Sequence, residues 1–229
     1  MSRNGSIRIL AHGSFGGDVA EQLTALSGGD ERAVQVAGVP SGSGLRPFLA
    51  GGDLGILASF RDVASDLDAF AAAAASAGVA WLPVALSLRH ARVGPLVVPG
   101  AAPCHVCYSA RLAQHGQADG TASADLAHAF EQDEALGVEG YPPHIAAIAA
   151  GLALTLARSP ACGGLASRLF LIDLASDAVA SWTVIGVHGC PECDSAATGR
   201  AAVAKGTEQL RALAAEICPS PGADVRKSR

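Results

Sequence analysis

The sequence is short of positive charge. Its 229 residues hold 16 Lys and Arg against 21 Asp and Glu, for a net charge of −5. No basic run occurs before the final Arg226-Lys227-Ser228-Arg229, which argues against nucleic acid as the main partner. Aromatic residues are 4% of the chain and there is one methionine, so the core has to be built from Ala, Leu, Val and Gly. Small side chains of that kind suit closely packed α/β layers. No secretory segment precedes the first apolar stretch, and the expected address is cytoplasmic. The longest apolar run, Phe70 to Leu86, approaches the length of a membrane span but contains Gly78 and Pro83. It divides into an alanine-rich helical half and a strand-like half, so no membrane association is expected.

Catalytic constellations are also missing. No G-x-S-x-G elbow occurs, and Ser41-Gly42-Ser43-Gly44 reads as a flexible loop. Neighbouring carboxylates, such as Glu131, Asp133 and Glu134, fall only on helix surfaces. Cys162 sits in a helix-breaking loop and Cys218 near a frayed helix end, and no catalytic residue is assigned. A glycine turn at Gly13, Gly16 and Gly17 follows the first strand, as in nucleotide-binding folds. Its spacing departs from G-x-G-x-x-G, and no acidic residue after the second strand is placed to hold a ribose. These three glycines are a degenerate cofactor site, and ATP is not expected as a cofactor. His12 beside the turn reads as a partly buried residue at a strand end. Arg89 and Arg92 either face the cleft or are solvated.

Two short motifs are present in full: Cys104-His105-Val106-Cys107 and Cys190-Pro191-Glu192-Cys193. Each C-x-x-C hook can grip one metal ion from a tight turn, and two hooks supply the four thiolates of a closed tetrahedral zinc site. A closed site leaves no position for substrate, so the zinc is structural, with Cys104, Cys107, Cys190 and Cys193 as ligands. Two alternatives stay open: a C-P-x-C redox pair at Cys190, and two local disulfides. His105 and His188 flank the hooks as supporting or surface residues.

The order of elements points to a single domain over 1–218, with a disordered tail over 219–229. Strands are expected at 6–11, 33–37, 53–60 and 79–86, with helices at 18–26 and 61–77. That alternation implies a mostly parallel sheet. Residues 87–98 form a hairpin beside it. Helices follow at 108–115, 125–136 and 145–157, then antiparallel strands at 169–174 and 178–187, and an amphipathic helix over 195–218. The helix from Ile145 has almost no polar face. It has to be covered on nearly all sides, by the domain itself or by a second subunit.

Asp53-Leu54-Gly55-Ile56-Leu57 and Trp81-Leu82-Pro83-Val84, after a glycine turn, resemble the ThiF/MoeB-type adenylating fold shared with ubiquitin-activating enzymes. The stretch Val93-Gly94-Pro95-Leu96-Val97-Val98-Pro99-Gly100, with the hook after Pro103, is similar to ThiF-like proteins of azole-forming bacteriocin clusters. Those proteins are docking partners of YcaO cyclodehydratases in thiazole/oxazole-modified microcin and thiopeptide pathways. The resemblance covers residues 6 to about 215, and 94–107 is its specific part. It implies a Rossmann-like α/β fold with a tetracysteine zinc site. It also implies a non-catalytic scaffold subunit that docks a YcaO-type enzyme or its precursor peptide, with the winged-helix leader-binding module missing or supplied by another protein, and a homodimer through the sheet layer and its buried helices. An active adenylyltransferase, or a zinc-stabilised structural protein unrelated to peptide modification, is the alternative.

Overall fold

In a computed structural model the chain is described over residues 6–28, 34–37, 44–114, 129, 132–133, 136, 140–158 and 167–193. The helix expected at 195–218, the tail, Cys162, Cys218 and nearly all of 125–136 lie outside these residues.

The first half alternates strand and helix: β1 (Ile7–His12), α1 (Gly13–Leu26), β2 (Val34–Ala37), α2 (Leu45–Ala50), β3 (Leu54–Ser59), α3 (Ala64–Ala77) and β4 (Ala80–Leu86). The second half runs β5 (His90–Val93), α4 (His105–Gln114), α5 (Pro143–Arg158), β6 (Arg168–Asp173) and β7 (Val179–Thr183). All seven strands form one sheet in the order β2-β1-β3-β4-β5-β6-β7. The ladders from β2 to β4 are parallel, and those from β4 to β7 are antiparallel. This is the Rossmann-like α/β arrangement that the strand–helix alternation requires. Among the described residues no helix is long and apolar enough to cross a membrane.

Each face of the sheet has its own core. Ile9, Ile56, Leu82, Val84 and Ile172 point towards α1 and α5, which bring Phe15, Val19, Ile145 and Leu156. Leu10, Leu57 and Trp81 point the other way, against Leu49 of α2 and Phe70 of α3. β3 lies between both layers and is buried at all six positions, hence its unbroken apolar sequence. In α5, Ala146, Ala149, Ala150 and Ala153 are buried with Ile145 and Leu156. Its apolar character is therefore largely spent inside the domain, while Ile148, Leu152 and Leu154 are half-buried. Tyr141, just ahead of α5, packs edge-on to Phe15 at 5.1 Å. Burial, aided by its hydrogen bond to Asp18, pushes its hydroxyl up to about 12.

The expected turn over Gly13–Gly17 is instead the start of α1. His12 is the extended N-cap, and Gly13 bends the chain in one step at φ +69°. His12 Nδ1 lies 3.5 Å from Asp66. Gly16 is buried where a Cβ would meet the Ala58 carbonyl oxygen at 2.3 Å. The glycine thus serves the close approach of α1 to β3, whereas at Gly17 a Cβ would meet nothing within 4 Å. Gly16→Ala should destabilise the fold by about 1–3 kcal/mol through overpacking, and Gly17→Ala should not. Denaturant midpoints of the two variants check this.

Two boundaries move for physical reasons. α3 begins at Ala64, three residues after Arg61, because Asp62 is engaged with Arg92. β5 ends at Val93, but pairing with β4 resumes at Trp81 and Val97. The register of that second contact is shifted by one residue, so Gly94-Pro95 forms a bulge in the hairpin.

Candidate metal centre

The two hooks are brought together by elements far apart in sequence. The first lies at the start of α4, which begins at His105, three residues earlier than the sequence suggests. Cys104 immediately precedes the helix and Cys107 sits in its first turn. The partial positive charge of a helix N-terminus favours thiolates there. The second hook follows β7. That strand ends at Thr183, four residues before the expected limit, because the chain is drawn aside by α4. Arg111 donates to the carbonyls of Ile185 and Gly186, at 3.2 and 2.9 Å. A turn closed by Cys190 N–H to Val187 O follows, with Gly189 at φ +72°. A side chain at position 189 would be strained in that conformation.

The four sulfurs lie within 4.8 Å of one another. Cys104 Sγ is 3.9 Å from Cys107 Sγ and 3.5 Å from Cys190 Sγ, and Cys107 Sγ is 3.5 Å from Cys193 Sγ. Four sulfurs placed about 2.3 Å from one ion in a tetrahedron stand about 3.8 Å apart. The observed spacings match that figure and are far from the roughly 2.05 Å of a disulfide bond. Cys107, Cys190 and Cys193 are buried, packed with Ala102 and Val187, and Cys104 is half-buried. The Val187 N–H donates to Cys107 Sγ at 3.3 Å. Hydrogen bonds of this kind orient a thiolate ligand and moderate its charge. The donor set therefore fits one metal ion held by sulfur alone, with no open position.

The electrostatics of the cluster agree. Burial pushes the Cys104 thiol far up, and pushes Cys193 to about 11 with the help of Cys107. Cys190 is also penalised by burial, but backbone N–H groups of Glu192 and Cys193, with the thiols of Cys104 and Cys107, bring it down to about 7. Four thiols this close cannot all ionise alone. A divalent cation at their centre removes the obstacle.

The predicted histidines separate. His188 is exposed. His105 is buried, its ring 5.7 Å from that of Trp81 and 6.4 Å from that of Tyr108. Burial first, and the Arg92 charge second, hold its imidazole below the usual range. It wedges the first hook onto the sheet and is not one of the sulfur donors. Arg92 is neither free nor in a cleft. It is 5% exposed, forms a bidentate pair with Asp62, donates to Gly94 O at 2.6 Å and lies 4.8 Å over the Tyr108 ring. A strand arginine and an aspartate just ahead of α3 gave no pairing signal in sequence, because 30 residues separate them. Arg89 stays exposed.

Among solved structures, the fold is similar to that of the heterocyclase TruD, with a TM-score of 0.54 and 17% identity over 82% of this chain. It is also similar to MccB of E. coli, with a TM-score of 0.55 and 14% identity over 83%. PaaA has a TM-score of 0.51 and 12% identity over 79%. The chain spans 27% of the length of TruD, 65% of MccB and 73% of PaaA. No family model and no curated protein matches it. At these identities the likeness is one of fold.

Proposed function

We propose that the chain is a zinc-stabilised, ThiF-like scaffold subunit of ribosomal peptide modification, docking a YcaO-type cyclodehydratase or its precursor peptide. The observation that carries the reading is the sulfur cluster, which ties the start of α4 to the end of β7 on a fold shared with a heterocyclase and MccB. Zinc fits best because four buried thiolates at tetrahedral spacing suit a redox-inert ion that needs no further ligand. The metal would supply rigidity, and the chemistry would come from the partner. The chain should co-purify with a YcaO-type enzyme encoded beside it, and azole formation by that enzyme should fall at least tenfold when this chain is left out. An unchanged reaction without it overturns the proposal.

One observation favours a second reading, an adenylyltransferase acting on a peptide carboxylate. A similar structure is that of MccB with AMPCPP and MccA, with a TM-score of 0.57 and 13% identity. Here the β1–α1 junction is occupied by the packing of Gly16 on Ala58, which favours the scaffold role. Pyrophosphate exchange with the precursor peptide separates the two. The scaffold reading expects none above background, and robust exchange would establish the enzyme.

A further inference from the structure

We infer that the face of β5–β7 turned away from α1 and α5 is a peptide site: it takes an extended segment whose acidic side chain pairs with Arg89 while a bulky apolar side chain four residues away packs on Trp182. The inference rests on the scaffold reading above, since it takes the precursor peptide as the source of that segment.

The shape of the site comes from strand alternation. Ile172 points into the core beneath α1 and α5, so its neighbours Leu171 and Asp173 point to the opposite face. Across the ladders, Ala180 stands opposite Leu171 and His90 opposite Asp173. On this face α2 and α3 cover the parallel strands. The antiparallel strands carry a cavity of about 320 Å³ there, with Leu171, Ala178 and Ala180 as its apolar floor and Trp182 as a wall. Alanine at both floor positions of β7 leaves the hollow, because a larger strand residue would fill it. Trp182 is 58% exposed, and an indole beside an apolar floor gains by covering with another apolar group.

The polar groups gather at the other end. Asp173 is occupied by its own turn. Its Oδ1 accepts from the N–H groups of Ala175 and Ser176 and from the Ser176 hydroxyl, at 3.0, 2.9 and 2.9 Å. Its second oxygen lies 3.5 Å from His90 Nε2. Arg89, also on the cavity wall, is exposed and has no ion-pair partner among the described residues. A carboxylate is the complement of that guanidinium. Residues 194–229 hold six Lys and Arg against four Asp and Glu, so the chain's own C-terminal segment is a poor electrostatic match. Trp182 stands at the level of Leu169, four residues along β6 from Asp173. Four strand residues span about 13 Å, the reach of side chains four apart on one face of an extended peptide.

The chain has two tryptophans, and Trp81 is 1% exposed, so a change in emission on binding reports Trp182. The probe is the acetylated and amidated peptide Leu-Ser-Thr-Ser-Glu-Ser-Thr-Ser-Leu, which offers the spacing in both chain directions and carries one carboxylate. Titrated into the full chain, it should shift the emission to the blue with saturation between about 10 μM and 1 mM. The affinity should fall about fivefold or more in Arg89→Ser and with glutamine in place of the peptide's glutamate, and less in Arg89→Lys. Ala180→Leu, which fills the hollow from an exposed position, should weaken binding to a similar extent. Salt at about 0.5 M should weaken it as well. An equal shift with the glutamine peptide, or in Arg89→Ser, means apolar contact only and overturns the proposal. No shift up to about 1 mM also overturns it, and azole formation that still depended on this chain would then leave the scaffold role standing.

Discussion

Cys107→Ser should remove the metal and cost about 4 kcal/mol or more, lowering the melting temperature by about 10 °C or more. Cys107 is fully buried at 0% exposure and accepts the Val187 N–H. A serine there leaves a buried hydroxyl in an apolar nest and breaks a four-ligand site. Metal binding free energy at such a site is folding free energy. The loss is smaller than for an isolated zinc finger because both faces of the sheet keep their own cores. A chelator under reducing conditions should reproduce the effect in the unmodified chain. Acid should do the same, since the ligands are thiolates and protons compete with the metal as pH falls. Metal content by elemental analysis, about one zinc per chain before and none after, checks the prediction alongside calorimetry. A melting temperature that ignores metal loss would sink the structural role.

The second large effect lies at Arg92 and Asp62, and it is asymmetric. Asp62→Ala should cost about 3–5 kcal/mol, because it strands a buried guanidinium without its counter-ion. Burial opposes the Arg92 charge, and Asp62 with Tyr108 outweighs it, raising the pKa above its ordinary range. Arg92→Met should cost less, about 1–2 kcal/mol. It removes the buried charge, and the carboxylate left behind has a side chain 38% exposed, within reach of water. The double variant should resemble Arg92→Met and not the sum, since the two residues act as one unit. Denaturant titration of the three variants gives the ranking. Equal costs for the two single changes would show that the pair is not buried in solution. The pair also braces the metal centre, since Tyr108 of α4 stacks on Arg92. Asp62→Ala should therefore loosen metal retention against a chelator as well.

Much of the frame was legible because its signals are local. Strand and helix lengths follow from apolar periodicity, and β3 announces its double-sided burial by a continuous apolar run. A hairpin within 87–98 was legible, and there β5 returns antiparallel to β4 over His90–Val93. The hooks are legible because a C-x-x-C turn brings two sulfurs together within four residues. What was misread is also local in origin. A glycine cluster after a first strand is read as a turn, yet Gly13–Gly17 opens α1, and Gly16 is glycine because β3 passes beneath it. β7 was drawn too long because Val184 to Val187 has strand-like composition, while Arg111 of α4 pulls its carbonyls away.

By itself, then, the sequence determined the α/β class, the parallel first half, and the two C-x-x-C hooks whose four cysteines come close together, since spacing and periodicity act between residues a few positions apart. Only the tertiary structure decided that the two hooks meet, that Arg92 is buried on Asp62, that Gly16 is a packing residue, and that β7 ends the sheet among the described residues. Each of these depends on pairs 30 to 86 residues apart or on the order in which the strands pair. Such contacts form when hydrophobic burial closes the sheet and its layers, and that closure has no period along the chain.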